Sequence, residues 1–391
     1  MTLTAISFLP STIPLADQGF SDPPSFGILS TYPPTACGLA AFSAALANEL
    51  TAQGVDVSVV RVSDGPPSAS HRVIGELVNG SPASITECAE LLNRSDVAVI
   101  QYQDNIYGGT DGSDILGVMD ELRVPSIVVL HTVLKKPTRQ QRSVLEAVAA
   151  RADQVIVMSE GAGRRLRRLD VDRHKIAIIP HGATIPTDSC IRSGRPTLLT
   201  WGLLRPGKGV ERVIEAMGSL HDLPGRPRYL VAGRTHPKVL AAEGEAYRDA
   251  RLEQVRRRGV ADSVYFDSGY RSVAMMTALV QSAAVVVLPY DSKDQVTSGV
   301  LAGALASGRP VVATAFPHAV ELLGSGAGIV VPHNDPDALA SALYRVLTQP
   351  RLAGAMAAEA RRLAPGMAWP VIANAYLSLA RRVIAQRRAR V

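Results

Sequence analysis

The chain has 391 residues, of which 47% are hydrophobic and 19% charged, and this length suits about two or three average domains with sizeable cores. No apolar run approaches the roughly 18 residues that a membrane-spanning helix needs, so none is predicted. Aromatic side chains make up only 5%, so we expect ligand recognition to depend on backbone and polar groups more than on stacking.

The net charge of +6 is carried by arginine, since only six of the 41 basic residues are lysines. Arginines cluster at 164–168, 256–258 and 381–390. The last cluster lies on a predicted C-terminal helix, which is a candidate for peripheral contact with anionic lipid headgroups. Solvated helix faces explain the same clusters. Nucleic-acid binding is not expected, because no recognised module accompanies the basic residues.

The three cysteines, Cys37, Cys88 and Cys190, are far apart and odd in number. This pattern indicates a reducing cytosol and argues against a disulfide framework or a structural zinc site. The first 25 residues carry no lysine or arginine, so they do not predict a signal peptide and are interpreted as a flexible N-terminal arm. We therefore expect a cytoplasmic protein, with peripheral contact to the inner face of the membrane as an option.

Residues 26–186 predict a first series of alternating strands and helices. The predicted elements are strands at 26–29, 55–60, 97–101, 126–130, 154–158 and 176–179, and helices at 39–53, at 138–151 and shortly after 158. The loop after the first strand lacks the GxGxxG fingerprint of dinucleotide-binding proteins. Residues 183–196 contain prolines, serines and a glycine without periodicity, and are the predicted linker.

Residues 187–366 repeat the pattern of strands and helices. The predicted elements are strands at 198–201, 229–232, 264–266, 285–288, 311–313 and 328–331, and helices at 210–217, 244–258, 272–282, 300–306 and 335–347. Residues 367–391 predict one amphipathic C-terminal helix. The two halves predict an α/β protein with two doubly wound Rossmann-like domains facing across a cleft, the usual place for a ligand.

The stretch 285–314 combines a buried strand, a polar loop and a helix that opens with the small residues Thr297-Ser298-Gly299. Unpaired amides in the first helical turn and the positive end of the helix dipole favour a phosphate there. Ser298 adds a hydroxyl donor, and Gly299 allows a ligand to approach the backbone. The alternative is that Thr297 or Ser298 simply caps a helix.

The loop from Gly202 to Gly209 places two cations, Arg205 and Lys208, on the same sheet edge as Ser298. Cations from this loop and the helix N-terminus would clamp a diphosphate from two sides. The shared edge favours this function over the alternative, a surface turn with two solvated cations.

Polar side chains also end two strands of the first half. His131 ends a buried strand, where an imidazole can accept a hydrogen bond from a sugar hydroxyl or donate one. Gln103, Asp104 and Asn105 follow a neighbouring strand and are candidates for binding the hydroxyls of an acceptor. A histidine that only caps a strand end, and simple loop polarity, are the alternatives.

The sequence contains two Asp-x-Asp pairs, Asp170/Asp172 and Asp335/Asp337. Both are interpreted as structural, the second because acids at the start of a helix cap its amides and complement its dipole. No metal site, Walker loop or nucleophilic Ser or Cys motif is predicted.

The ordered set of motifs resembles the retaining glycosyltransferases of the family-4 type (glycosyl transferases group 1), which have the GT-B fold. The resemblance spans about Phe26 to Tyr376 and rests on His131-Thr132, Pro180-His181-Gly182, Gly202…Lys208-Gly209, Gly308-Arg309-Pro310-Val311-Val312, Cys37-Gly38-Leu39, Tyr107-Gly108-Gly109 and Gln295-x-Thr297-Ser298-Gly299.

The resemblance implies transfer of a hexose from a nucleotide-diphosphate sugar, of the GDP-mannose or UDP/ADP-glucose type, to a hydroxyl of a sugar, glycolipid or polysaccharide acceptor. It implies retention of configuration, no cofactor and no essential metal. It also implies that the terminal helix around Trp369 crosses back onto the N-terminal domain.

The resemblance also assigns roles to individual residues. Arg205 and Lys208 would neutralise the diphosphate, and His131 would contact the donor sugar near the reacting carbon. The remaining donor-binding residues implied are Gly38, Gly202, Gln295, Thr297, Ser298, Gly299, Val300 and Glu321.

Two departures from the family pattern stand out. The family usually has two glutamates eight positions apart, and the corresponding residues here are Gln295 and Gly303. Neither can supply the negative charge that offsets an oxocarbenium-like centre. Leu203 also stands where an arginine often follows the glycine, and Arg205 is a candidate to replace it. A non-catalytic sugar-nucleotide-binding or regulatory protein therefore remains the alternative, ahead of an epimerase or a phosphorylase.

Overall fold

The computed structural model of the protein describes residues 22–187, 194–269 and 271–389. Most of the predicted N-terminal arm, Cys190 in the predicted linker and the last two residues lie outside this part of the chain. The described residues form two parallel β-sheets, each with buried side chains on both faces. This confirms the predicted GT-B architecture of two Rossmann-like domains.

The first sheet has seven strands in the order β3-β2-β1-β4-β5-β6-β7. The strands are β1 (Phe26–Ser30), β2 (Val57–Val62), β3 (Val73–Leu77), β4 (Val97–Tyr102), β5 (Ser126–Leu130), β6 (Gln154–Val157) and β7 (Ile176–Ile178). The helices between them are α1 (Gly38–Ala52), α2 (Pro82–Leu92), α3 (Ile115–Asp120), α4 (Arg139–Arg151) and α5 (Glu160–Leu166).

The second sheet has six strands in the order β10-β9-β8-β11-β12-β13. The strands are β8 (Thr197–Trp201), β9 (Arg228–Ala232), β10 (Val264–Asp267), β11 (Val285–Leu288), β12 (Val311–Thr314) and β13 (Gly328–Val331). The helices of this half are α6 (Val210–Leu220), α7 (Pro237–Glu243), α8 (Ala246–Arg257), α9 (Val273–Ser282), α10 (Gly299–Ala306), α11 (Pro317–Leu323), α12 (Pro336–Thr348), α13 (Pro350–Leu363) and α14 (Trp369–Arg388).

The central strands are buried on both faces, which explains their apolar sequences. In β4, Val97 and Val99 belong to one core of the first sheet, whereas Ala98 and Ile100 belong to the other, because successive side chains point to opposite faces. The strand order reverses between β1 and β4 and again between β8 and β11. Ligands bind beyond the carboxyl ends of strands at such reversals.

Helix α14 returns to the first sheet and packs along α1. Its buried residues, among them Ile372, Tyr376 and Val383, share a core with Phe42 and Leu46 of α1. Each fully buried side chain of this size contributes roughly 1.5–3 kcal/mol, so this contact ties the end of the chain to its first domain. The crossing of the terminal helix is thus confirmed.

Six of the described elements are absent from the sequence-based prediction, namely β3, α2, α3, α7, α11 and α13. Four of the five helices begin with a proline at their first position: Pro82, Pro237, Pro317 and Pro350. A proline there loses no hydrogen bond and favours helical φ, but it is easily taken for a loop signal. The strand β3 is only partly buried, so its pattern is weak. The predicted cap at Asp335 is confirmed, since its carboxylate accepts from the Ala338 amide.

Candidate active site

The carboxyl edges of the two sheets come together between the domains. His181, in the turn after β7, lies directly against Gly299 at the start of α10, where a Cβ atom would be 2.7 Å from His181 Nε2. A side chain at 299 would displace the imidazole, so this contact requires glycine. The predicted donor segment therefore meets the N-terminal domain at His181.

The start of α10 has both its predicted capping role and free amides. Ser298 Oγ accepts from the Leu301 amide at 3.2 Å, and the Ser298 amide donates to His318 Nδ1 at 2.9 Å. The amide of Ser298 therefore already donates a hydrogen bond, but the hydroxyl group of Ser298 can still donate its proton to an anion. The amides of Gly299 and Val300 have no intrahelical acceptor, so they are the amides that remain for a phosphate.

The polar loop before α10 is held by internal contacts. Gln295 Nε2 donates to Thr297 O at 3.2 Å, and the His318 amide donates to Gln295 O at 3.2 Å. Thr297 Oγ1 is buried and, within the described part of the chain, has no hydrogen-bond partner. Gln295 and Thr297 thus lie beside the amides of α10, as predicted for the donor segment.

Lys208 reaches the same place from the loop after β8. A Cβ atom on Gly202, whose φ is +102°, would lie 3.4 Å from Lys208 Nζ and 3.9 Å from Val300 Cγ2. The ammonium group and the first turn of α10 therefore border one gap, into which Gly202 presents only backbone. This is the arrangement that the sequence predicts for a diphosphate clamp, although Arg205 itself is an exposed residue.

Tyr290, which the sequence analysis does not single out, holds Lys208 in place. Lys208 Nζ donates to Tyr290 Oη at 3.0 Å and lies 4.5 Å from the centre of the Tyr290 ring, and that ring stacks on Phe316. Burial, and then the charge of Arg205, lowers the pKa of Lys208 to about 7. An anion beside the amine would raise this pKa again and gain from the ion pair.

His131 faces the cleft from the end of β5 as a neutral imidazole. Its Nε2 lies 2.6 Å from Gln101 Oε1, and its ring packs edge-on against Phe42 with the ring centres 5.1 Å apart. Burial, and then the neighbouring His181, lowers the pKa of His131 to about 3. An uncharged histidine can exchange hydrogen bonds with hydroxyls without attracting a second phosphate.

His181 and His318 are uncharged as well. His181 Nδ1 donates to Gly182 O at 2.7 Å, and burial lowers its pKa to about 4. Burial, and then His181, lowers the pKa of His318 to about 3. Gln101 and His318, like Tyr290, are absent from the predicted site. Gln101 lies near the end of β4 and Tyr290 just after β11, and this position is the signal that would have identified them, whereas His318 lies in the first turn of α11.

Glu321 makes a contact that its sequence position does not indicate. Its carboxylate oxygens accept from the amides of Glu160 and Gly161, each at 2.8 Å, so it caps α5 of the other domain. Arg165 forms a second bridge between the domains. It donates to Val133 O of its own domain at 2.7 Å and to Asp294 O of the other domain at 2.8 Å. The contact of Glu321 with a nucleotide stays a prediction, because both oxygens are engaged here.

The residues predicted for the acceptor lie in the turn after β4. Asp104 lines a small cleft with Tyr102, Thr132 and Leu134, at the same sheet edge as His131. Gln103 and Asn105 flank it in the turn. Gly38 begins α1, and a Cβ atom there would have no atom within 4 Å, which leaves its backbone open to approach.

The two positions that lack glutamates differ in their surroundings. A Cβ atom on Gly303 would lie 3.6 Å from Trp201 Cζ2, so the indole lies alongside this face of α10. Next to Gln295, Asp294 does carry a carboxylate, but that group accepts from the Lys135 amide at 3.1 Å and lies 3.4 Å from Arg165. It therefore serves the contact between the domains.

Comparison with known proteins identifies the class. Solved GT-B structures superimpose on nearly the whole chain: Anabaena HepE in complex with UDP-glucose (TM-score 0.70, 16% identity, 94% of this chain and 100% of that one) and sucrose-phosphate synthase from Thermosynechococcus elongatus (TM-score 0.70, 19% identity, 93% and 100%). WaaG, a glycosyltransferase involved in lipopolysaccharide biosynthesis, has a TM-score of 0.62 at 19% identity, with 91% of this chain and 99% of that chain covered. At these identities the likeness shows the fold.

Sequence similarity narrows the class to a family. Residues 37–185 match Glycosyltransferase Family 4, and residues 195–349 match Glycosyl transferases group 1. D-inositol 3-phosphate glycosyltransferase of Kineococcus radiotolerans is 27% identical over 69% of this chain and 69% of its own length. Alpha-D-kanosaminyltransferase of Streptomyces kanamyceticus is 28% identical over 62% and 66%. The chain belongs to the glycosyltransferases of group 1, family-4 type.

Two further properties of the described residues bear on partners. No helix among them combines the length and apolarity that crossing a membrane requires. The basic helix α14 uses part of its charge within the fold, since Arg387 donates to Val124 O at 2.9 Å and Arg382 to Gln154 Oε1 at 3.4 Å.

Proposed function

We propose that this glycosyltransferase moves a hexose from a nucleotide-diphosphate sugar to a hydroxyl acceptor, with retention of configuration and without an essential metal. The observation that carries the proposal is the gap at Gly202. Lys208 Nζ and the first turn of α10 border it, and a cation beside free helix N-terminal amides is the combination that binds a diphosphate. HepE, a structural neighbour, was crystallised with UDP-glucose, so UDP-hexoses lead the candidates, ahead of GDP- and ADP-hexoses.

The mechanism follows from which groups are charged. Lys208, Arg205 and the amides of Gly299 and Val300 stabilise negative charge as the diphosphate leaves the anomeric carbon. The acceptor oxygen forms its bond to that carbon on the same face, and its proton passes to the departing diphosphate oxygen. A front-face displacement of this kind needs no enzyme nucleophile, which suits a site with Gln295 and Gly303 at the family's glutamate positions.

The opposite edge of the cleft would hold the sugars. His131 would exchange hydrogen bonds with the donor hexose, and Asp104, with Gln103 and Asn105, would bind hydroxyls of the acceptor. A sugar, glycolipid or polysaccharide is the proposed acceptor. The basic face of α14 would let the enzyme approach an anionic membrane surface.

Donor binding is tested by thermal shift with UDP-, GDP- and ADP-hexoses, using wild type, Lys208→Ala and a control, Lys175→Ala. Lys175 donates to Ala150 O at 2.7 Å in the N-terminal domain. A ligand at 100 times its Kd stabilises the native state by about 2.7 kcal/mol. We expect a shift with one nucleotide series in wild type and Lys175→Ala, and none in Lys208→Ala. The absence of any shift in wild type would contradict the donor assignment.

Turnover decides between the enzyme and a binding protein. The absence of both glutamates favours the second candidate, a non-catalytic sugar-nucleotide-binding protein. With the donor known, acceptor sugars and glycolipids are screened for glycosylated product, and the anomeric configuration of the product is read by NMR. Retention, and a rate unchanged by EDTA, is the expected result. Donor binding without a product on a broad acceptor panel would support the binding protein.

A further inference from the structure

Gln101 lies at the end of β4, immediately beside His131 at the end of β5. It is fully buried, with an exposed fraction of 0%, and its Oε1 lies 2.6 Å from His131 Nε2. The main-chain carbonyl oxygen of Gln101 accepts a hydrogen bond from Tyr107 Oη at 2.8 Å, which holds the backbone at this point. The two side chains therefore form a short, well-supported pair at the edge of the cleft.

This pair determines which imidazole nitrogen carries the proton. With its Oε1 facing the ring, the Gln101 amide can only accept a hydrogen bond there, so Nε2 of His131 donates to it. In a neutral ring, Nδ1 then carries a lone pair and is an acceptor. Such a nitrogen can accept a hydrogen bond from a hydroxyl group, but it cannot donate one to an oxygen that lacks a proton.

The residue type at position 101 is also informative about function, because glutamine is not the residue that would stabilise a buried position most. Its Nε2 is buried and has no hydrogen-bond partner among the described residues, and an unpaired buried amide is costly. A leucine would remove that cost but leave His131 without an acceptor. A glutamate would accept equally well, but its charge would favour the imidazolium. Glutamine accepts a hydrogen bond without adding charge.

We propose that Gln101 is a positioning residue for His131: it fixes the Nε2–H tautomer of an uncharged ring, so that Nδ1 accepts a hydrogen bond from a hydroxyl of the donor hexose. The catalytic part of this proposal rests on the proposed sugar transfer. The tautomer itself does not, since it follows from the contact in the free protein.

The kinetic test compares Gln101→Leu and Gln101→Glu with a control, Gln154→Leu. Gln154 is also a buried glutamine of the first sheet, but it begins β6 and donates to His174 O. We expect Gln101→Leu to lower kcat about tenfold, the value of one lost hydrogen bond, with a smaller change in the donor KM. Gln154→Leu should leave kcat unchanged.

Gln101→Glu supplies a readout that a merely structural role would not move. The carboxylate should raise the pKa of His131, against the effect of His181, the titratable neighbour that lowers it. Activity of this variant should then fall as the pH is lowered through the new pKa, because the imidazolium has no lone pair for the hydroxyl. The wild-type enzyme should show no such loss of activity from protonation of His131. Identical pH profiles would overturn the proposal.

The tautomer is measured directly by nitrogen NMR of histidine-labelled full-length protein without ligands. We expect the proton of His131 on Nε2 in wild type and a mixture of tautomers in Gln101→Leu. A proton on Nδ1 in wild type, or normal kcat in Gln101→Leu, would overturn the positioning role. If wild type transfers no sugar at all, the proposed function fails, and the NMR result alone decides the role of Gln101.

Discussion

The two edges of the cleft are built from similar βα units but differ in the charge of their side chains. On the edge of the second sheet, Lys208 and the first-turn amides of α10 border the same gap and offer positive charge. On the edge of the first sheet, His131 and His181 both pack edge-on against Phe42, and burial holds the pKa of each at about 3 to 4. These two histidines offer hydrogen bonds without charge.

The difference indicates how the cleft divides its tasks. Under the proposed function, the second domain provides the compensating charge that a diphosphate needs. A hexose has only hydroxyls, and uncharged donors and acceptors recognise these without competing for the phosphates. Two bridges, from Glu321 to the amides of α5 and from Arg165 to Asp294, hold the two edges at a defined distance.

The largest effect is expected from removing the charge of the donor edge. Lys208→Ala should lower kcat/KM by about 10²–10³-fold, the usual loss when one oxyanion-stabilising group is deleted. Steady-state kinetics with the identified donor, beside Lys175→Ala, measure this. Rates within twofold of wild type would show that Lys208 is not part of the clamp.

The pH dependence of stability tests the neutral edge. The pKa values of His131, His181 and His318 lie below the ordinary histidine value in the folded state, so the unfolded state binds more protons below about pH 6.5. Stability should therefore fall as the pH drops from 6.5 towards 4, by up to about 1.4 kcal/mol per pH unit and histidine. Urea unfolding at pH 7 and pH 5 measures the loss, and equal stabilities would contradict it.

Gly299→Ala tests the contact where the two edges meet. The added methyl group would lie 2.7 Å from His181 Nε2, so the ring must move, at a cost of about 1–3 kcal/mol in unfolding free energy. Gly303→Ala, one turn later on α10, is the matched control, because its methyl group meets Trp201 at an ordinary 3.6 Å. Denaturant unfolding and kcat distinguish them, and an equal loss in both would point to the helix alone.

Donor affinity should depend on pH through Lys208. Its pKa of about 7 in the free protein means that raising the pH above 7 removes the charge that binds the diphosphate. The donor Kd should therefore increase, approaching tenfold per pH unit where protonation is required for binding. Calorimetric titrations from pH 6 to pH 9 measure this slope. A flat profile would assign phosphate binding to Arg205 and the α10 amides.

The smallest effect is expected from the bridge between the edges. Glu321→Gln keeps the shape of the side chain but weakens its cap on α5, and should cost about 1 kcal/mol. Glu359→Gln is the control, since Glu359 pairs with Arg362 of its own helix and with Ser325 of its own domain. Both are read by thermal unfolding, and a larger radius of gyration in Glu321→Gln alone would show that the bridge also holds the domains together.

Much of the fold was accessible from the sequence because its signals are local. Apolar β-branched runs such as Val285–Leu288 are buried strands, and the small residues at Ser298 and Gly299 do begin a helix. Four of the five missed helices start with proline, which favours a first helical turn as readily as a loop. The choice between the two depends on the apolar face that follows and on what it packs against.

The sequence by itself determined the alternation of strands and helices, the start of a helix at Ser298 and Gly299 and the cationic loop at Lys208, since each depends on neighbours within a few residues. Only the tertiary structure decided the partners of these groups. Tyr290 beside Lys208, Gln101 beside His131 and Glu321 on α5 join residues 82, 30 and about 160 positions apart. The first two contacts exist because parallel strands bring their carboxyl ends to one edge, whatever the length of chain between them, and the third exists because the two domains pack against each other.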